Sequence, residues 1–317
     1  MSQQPWELVR ATEADLPAVQ ELTRQEYGPD TLAHPDHWRW FTRGNPNGPA
    51  CAWLAKANDE IIAVAMAQLV RAKVGDRQAL VHVFLNMIVR PDFRRQGVIS
   101  HLVPWALEDS PKLGSAFMFG ATALMKGVWR KFGLDMIGPA SPLMLKPLDV
   151  GAILAFKGIK GHPIHWLASA GYKMIAPFLR RRWFNRPDPD LAVSEVISFD
   201  ERFDRFWERV KQKYHTLLVR DAVFLQWRYK DVPLKSARCF VATDSEGEIV
   251  AYIIFRGTDL EGIATGMILD LLIEPSERGR QAGNQLVALA TRQFQHDRLA
   301  LGTCIMLRHT HEIKILR

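Results

Sequence analysis

The chain repeats itself once. Thr12, Glu13, Ala14 and Asp15 have the form of a capping box that opens a helix, and Ser198 to Glu201 has the same form 186 residues later. Trp40 and Pro46 return as Trp227 and Pro233, 187 residues on. Glu60-Ile61-Ile62-Ala63 returns as Glu248-Ile249-Val250-Ala251 at 188, and Val89 with Pro91 returns as Ile273 with Pro275 at 184. So steady an offset indicates a duplicated domain and restricts the fold to two similar bodies in tandem. At 317 residues each half is long enough to bury a core of its own.

Within the first half, residues 6–10 read as a strand, and Leu16, Val19 and Leu22 mark the apolar side of a helix. A second short helix is expected at 37–41, stopped by Asn45-Pro46-Asn47-Gly48-Pro49. Strands follow at 51–56, 61–70 and 79–89, then a helix carrying Val98, Ile99, Leu102, Val103, Ala106 and Leu107. A strand at 115–119, a helix at about 122–132 and an extended pair within 133–148 complete the half. The expected class is α/β (α+β): two tandem domains, each a mixed, mostly antiparallel sheet flanked by helices. The expected division is 1–149, a basic aromatic helical linker at 150–190, and 191–317.

The densest functional signal lies where the strand ending at Val89 meets the next helix. Pro91 breaks the apolar run, and Gly97 precedes the helical spacing. A glycine at a helix start lets backbone approach a ligand, the first-turn N–H groups lack intrahelical partners, and the helix dipole favours an anion there. Arg94 and Arg95 add two positive charges, so the expected ligand is a phosphate or pyrophosphate. A nucleotide P-loop is excluded because no Gly-Lys-Ser/Thr follows. The dinucleotide fingerprint is excluded because only one of its three glycines is present.

Val89-Arg90-Pro91 followed by Arg94-Arg95-Gln96-Gly97-Val98-Ile99 resembles the acyl-CoA signature of the GCN5-related N-acetyltransferases. That signature is Arg/Gln-x-x-Gly-x-Gly/Ala after a strand ending in Val-x-Pro, and Ile99 stands where Gly or Ala is usual. The order of elements over about the first 145 residues resembles the same family. Gly127 to Leu134 resembles its later Tyr-x-Lys-x-Gly-Phe motif, with Trp129 in the place of a tyrosine that protonates the CoA thiolate. An indole N–H has no useful acidity. The resemblance implies acetyl-CoA, or another acyl-CoA, as co-substrate and calls for no metal. It places the cofactor against Met87, Ile88 and Val89 of a splayed strand and against Arg94, Arg95, Gln96, Gly97, Val98 and Ile99 of the turn.

In the second copy Arg278 matches Arg94, but Gln281 stands where Gly97 does. A side chain there crowds a pyrophosphate, so this copy is expected to bind CoA weakly or not at all, with Gly283 leaving the question open. The 184-residue offset carries Gly133 to residue 317, so the second copy is expected to be incomplete at its C-terminal end.

Transfer of an acyl group to an amine needs a held thioester, donors for its carbonyl and a route for the ammonium proton. The fourth strand offers only His82 and Asn86 for the last task, and asparagine is no base. The second copy has Asp270 where the first has Asn86, and a carboxylate in an apolar strand needs a partner or a task. Asp270, His82 and Asn86 are the catalytic candidates; His82 and Asp270 also have a structural reading as satisfied hydrogen-bonding groups. Tyr229 and Tyr252 are alternative proton donors. Trp38 and Trp40, with Trp227 and Tyr229, either line a substrate groove or anchor a helix in each core. Trp38-Arg39-Trp40-Phe41 with Pro46 and Gly48, paired with Leu225 to Tyr229 and Pro233, resembles two-domain bacterial acetyltransferases that accompany polysaccharide biosynthesis genes. That resemblance implies an amino sugar or a lipid-linked glycan amine as acceptor.

A hydrophobic fraction of 48% with 24% charged residues fits a soluble globular protein, and a net charge of +7 favours an anionic partner. Cys51, Cys239 and Cys304 lie far apart without metal spacing, which reads as reduced thiols in a cytoplasmic protein. No uninterrupted apolar run reaches membrane-spanning length. Residues 150–186 carry seven Lys and Arg and no acid, interleaved with aromatics such as Trp166 and Trp183. This is either a linker packed on one side or a peripheral contact with the inner face of a membrane. Three classes stay open: an N-acyltransferase acting on a primary amine of a small molecule or glycan, a non-catalytic CoA-binding or regulatory protein, and a polyanion or membrane-surface module. Specific nucleic-acid binding is not expected, and the oligomeric state is unspecified. If the first half holds the cofactor alone, removing 191–317 is expected to keep CoA affinity and lose activity.

Overall fold

The computed structural model describes residues 5–29, 32–113, 116–119, 143–156, 158, 170, 188–234, 236–306 and 310–316. The expected helix at 122–132, the motif at Gly127 to Leu134 and nearly all of the basic stretch after Phe156 lie outside them. The strands are β1 (Glu7–Arg10), β2 (Cys51–Ala57), β3 (Glu60–Val74), β4 (Arg77–Val89), β5 (Ala116–Phe119), β6 (Leu143–Pro147), β7 (Ala192–Val196), β8 (Thr216–Leu218), β9 (Arg238–Thr243), β10 (Ile249–Leu260), β11 (Ile263–Ile273) and β12 (Leu301–Ile305). The helices are α1 (Leu16–Tyr27), α2 (Pro35–Arg43), α3 (Val98–Asp109), α4 (Val150–Phe156), α5 (Glu201–Val210), α6 (Ala222–Leu225), α7 (Glu277–His296) and α8 (Ile313–Leu316). Two compact units result, Met1–Met136 with His215–Lys235, and Ile137–Tyr214 with Ser236–Arg317.

In the first unit the sheet runs β1-β2-β3-β4-β5, antiparallel until β5, which lies parallel to β4. Alternate small residues Ala55, Ala63, Ala65 and Ala67 let α3 approach one face, where Val98, Leu102 and Ala106 close over Trp53 and Phe84. Asp109 at the end of α3 accepts two bonds from Arg10, at 2.7 and 2.9 Å, and one from Trp53 Nε1 at 3.0 Å. The helix is thereby tied to β1 and β2. Residues from the second repeat complete this unit: β8 pairs with β3 through Leu218 to Ala72 and Thr216 to Val74. Trp227, in a π-helix continuing α6, stacks on Trp40 at 5.1 Å, and Trp40 Nε1 donates to Trp227 O at 2.9 Å. Of the two readings of the tryptophans, Trp40 and Trp227 take the core one; both are buried.

The first capping box forms as expected, with Asp15 accepting from Thr12 N at 2.8 Å. Lys56 Nζ lies 2.8 Å from the same carboxylate and, with the Thr12 amide, holds its pKa at about 2. The folded value lies below the ordinary 3.8, so this contribution is complete above that pH and fades as the pH falls toward about 2. Asp15→Asn is expected to cost about 1–2 kcal/mol at neutral pH and to flatten the acid limb of a urea-unfolding stability profile. An unchanged acid limb would refute this.

In the second unit the order is β6-β12-β11-β10-β9-β7, with β11 and β12 parallel and the other pairs antiparallel. α7 covers one face through Ala282, Leu286 and Phe294 against Phe255, Leu271 and Ile273. On the other face Phe203 and Phe206 of α5 meet the ring of Tyr252. Two expectations change here. Asp200, not Ser198, caps α5, accepting from Arg202 N at 3.0 Å. β6, read from the sequence as closing the first half, pairs antiparallel with β12 and so takes the edge that a further strand of the second repeat would occupy.

Candidate active site

The register of β3 against β4 places Met66 opposite Asn86 and Ala67 opposite Phe84, so Leu85 is an extra residue, a β-bulge. The bulge breaks the period of two. Phe84 lies on the α3 face, whereas Asn86, two residues on, shares the opposite face with Met66. The described ladder of β5 with β4 runs from Val81 opposite Ala116 to Phe84 opposite Phe119. Arg90 N donates to Ile62 O across to β3 at 2.9 Å, so strand alternation turns the backbone groups of Val89 and Met87 to the outer edge and those of Ile88 inward. Among the described residues no strand pairs with that outer edge.

The chain then turns through Pro91–Phe93 into a left-handed Arg95 (φ 64°) and Gly97 (φ 84°), where α3 begins without a side-chain cap. Among the described residues no backbone carbonyl accepts from the N–H groups of 95–99. A row of unspent amides at a helix N-terminus, bent by left-handed residues, is a nest for an anion. Among the described residues a Cβ on Gly97 would find only the His101 ring, at 3.9 Å. The two arginines differ. Arg94 braces the turn, donating to Val89 O at 3.0 Å and to Glu26 at 2.6 Å, while Arg95 is exposed and has no ion-pair partner among the described residues. Gln96 Nε2 donates to Asp92 O at 2.7 Å and fixes the loop. Val98 is buried in the core and Ile99 is half-buried.

The bulge recurs in the second sheet at Leu269, with Ile254 opposite Asp270 and Phe255 opposite Ile268. The turn does not. α7 begins at Glu277, five residues before the position that the 184-residue offset assigns to Val98. Ser276 caps it, Oγ accepting from Gly279 N at 3.0 Å. Gln281 lies inside the helix, so the second nest is absent rather than merely crowded.

Of the three catalytic candidates, His82 and Asn86 lie on opposite faces of the first sheet, and Asp270 belongs to the other unit. His82 is buried on the α3 face, Nδ1 2.9 Å from Ser110 Oγ and its ring against Trp53, and burial pushes its pKa down toward the neutral form. Asn86 is buried on the opposite face, and its Oδ1 has no hydrogen-bond partner among the described residues. Asp270 lies in the second unit, where Tyr252 Oη donates to it at 3.1 Å and Leu271 N at 3.0 Å. The neighbouring Cys304 thiol is pushed up to about 12 by burial and by the Asp270 charge. The sequence reading missed the bulge; its one trace is the polar Asn86 two residues after the core residue Phe84.

A mostly antiparallel sheet whose fourth strand bulges and leads through an amide-lined turn into a helix has the layout of an acyltransferase fold. Residues 16–125 and 198–312 match the Acetyltransferase (GNAT) family, and the chain belongs to it. Both repeats are matched, which agrees with the tandem arrangement. No curated protein sequence matches the chain. Among solved structures, a conserved protein of unknown function from Enterococcus faecalis V583 is similar over 95% of this chain and 65% of its own, at 10% identity and TM-score 0.66. Saccharomyces cerevisiae N-myristoyltransferase with bound myristoyl-CoA is similar over 96% and 77%, at 11% identity and TM-score 0.61. A GCN5-related N-acetyltransferase from Anabaena variabilis is similar over 98% and 68%, at 13% identity and TM-score 0.64. The chain thus spans about two thirds of the length of the first of these structures. Among the described residues no helix is long and apolar enough to cross a membrane, and no cluster of metal-ligating side chains occurs.

Proposed function

We propose that this protein transfers an acyl group, acetyl in the first instance, from acyl-CoA to a primary amine, with an amino sugar or glycan precursor as acceptor, in the cytoplasm. The observation that carries the reading is the pairing of unspent amides at 95–99 with the outer edge at Met87 and Val89, which no strand takes among the described residues. The amides and Arg95 suit a diphosphate, and the strand edge offers an N–H and C=O at Met87 and an N–H at Val89 to an amide-bearing arm. Bound acyl-CoA supplies an activated thioester carbonyl. The chain's own residues hold and orient.

Asn86 Oδ1, buried and unpartnered among the described residues, accepts an N–H from the incoming amine. It cannot take the proton, and His82 faces the other side of the sheet. The amine therefore reacts in its neutral form, deprotonated by solvent. Free-thiol release from acetyl-CoA across an amine panel tests the activity. The rise of kcat/KM with pH is expected to follow the pKa of each amine supplied, shifting as the amine is changed. Asn86→Asp is expected to add an enzyme-borne rise that stays put. A wild-type profile fixed at one pH for every amine would reject solvent deprotonation. The second reading, a CoA-binding protein without turnover, is favoured by the same Asn86. Binding of acetyl-CoA without thiol release for any amine would select it.

A further inference from the structure

The second unit keeps the bulge of the first, and its outer strand edge is taken. Glu274 N donates to Val250 O at 2.9 Å, as Arg90 N does to Ile62 O, so Ile273 turns its N–H to the outer edge, as Val89 does. That N–H donates to Glu312 Oε1 at 3.3 Å. Tyr214 Oη donates to the same oxygen, and Glu312 is buried. Three residues on, Ile315 of α8 presses on α7 where Gly283 leaves a notch: a Cβ there would lie 2.5 Å from Ile315 Cδ1 and 2.9 Å from Ile273 Cγ2. Gly283 therefore serves a contact within the protein rather than the approach of a ligand. Gly279 is likewise spoken for, since a Cβ on it would stand 1.9 Å from Glu274 O.

We infer that the C-terminal segment 310–316 acts as a built-in ligand of the second repeat, closing its cofactor cleft through Glu312 and Ile315, so that each chain takes a single acyl-CoA, at Gly97. In the second repeat the strand edge, the helix N-terminus and the notch at Gly283 each have a protein partner. The amide edge meets a carboxylate, the helix N-terminus meets Ser276, and the notch on the helix is filled by an isoleucine. The carboxylate stands in for an acceptor that a cofactor arm would otherwise present to that N–H. The single-site part of the inference rests on the proposed role of Gly97; the closure by the C-terminal segment does not.

The test uses the full-length protein and two readouts, amide hydrogen exchange by NMR and equilibrium CoA stoichiometry. In the wild type Ile273 N–H is expected to be protected. Glu312→Ala is expected to speed its exchange about tenfold or more while Glu274 N–H stays protected, and Glu312→Gln, which keeps an acceptor oxygen, is expected to retain protection. Stoichiometry is expected to be one in the wild type and in Glu312→Ala, and zero in Gly97→Glu. Two sites in the wild type, or one remaining in Gly97→Glu, would overturn the single-site inference. Unchanged Ile273 exchange in Glu312→Ala would overturn the closure. Should the wild type bind no CoA, the proposed function falls, and the exchange data still decide whether the segment holds that edge.

Discussion

Gly97→Glu is expected to abolish acyl-CoA binding, weakening it on the order of 100-fold or more, which corresponds to roughly 2.7 kcal/mol or more. Two effects combine. The carboxylate places a negative charge among the amides of 95–99, where a diphosphate is proposed to sit, and the side chain fills the space before the helix. Stability should change far less. The left-handed φ of 84° costs a non-glycine residue about 1–2 kcal/mol, and among the described residues the nearest atom to a new Cβ is 3.9 Å away, so none of them has to move. Gly97→Ala carries the strain without the charge and should weaken binding only a few-fold. The measurement is an acetyl-CoA titration alongside thermal unfolding. If Gly97→Glu titrates like the wild type, the anion nest is not the cofactor site.

Removal of residues 191 to 317 is expected to unfold the remainder rather than leave a competent first half. Unit one takes β8 and the π-helical turn from this stretch. The cut strips Trp227 from Trp40, leaves Trp40 Nε1 without Trp227 O, removes the Asp221 partner of Arg71 and unpairs Ala72 to Val74 of β3. Loss of a buried tryptophan alone costs about 3–5 kcal/mol, a large share of the roughly 5–15 kcal/mol that stabilises a domain. Circular dichroism melting of fragment 1–190, with and without residues 215–235 fused at its end, provides the measurement. The fused version should recover part of a cooperative transition. A cooperative melt and full CoA affinity in the unfused fragment would contradict the assignment of 215–235 to this unit. The expectation from sequence was the opposite one, that the first half alone would keep its cofactor.

The two repeats explain why the two expectations differ. A matched pair such as Trp40 and Trp227 signals equivalent positions in two copies. It carries no information about whether each residue packs within its own copy. Here the two equivalents stack on each other. The same holds for Leu143–Pro147: its composition marks a strand, but backbone hydrogen bonds are made by groups common to every residue, so the sequence does not say which edge it joins.

The sequence by itself determined the duplication, the class of each half, the alternation of strands and helices up to Phe119, and the strand, turn and glycine of the proposed anion site. These are local matters, set by periodicity, caps and the conformational range of one residue. The tertiary structure decided the rest: the bulge at Leu85 that turns Asn86 away from Phe84, the placing of His82 and Asn86 on opposite faces of one sheet, the choice of Arg95 over Arg94 as the uncommitted charge, and the contact of Glu312 with the Ile273 amide. Each depends on groups far apart in the chain meeting in space. An unpaired residue in a ladder, a carboxylate reaching an amide 39 residues away and a guanidinium claimed by a neighbouring helix leave no pattern in the order of the residues.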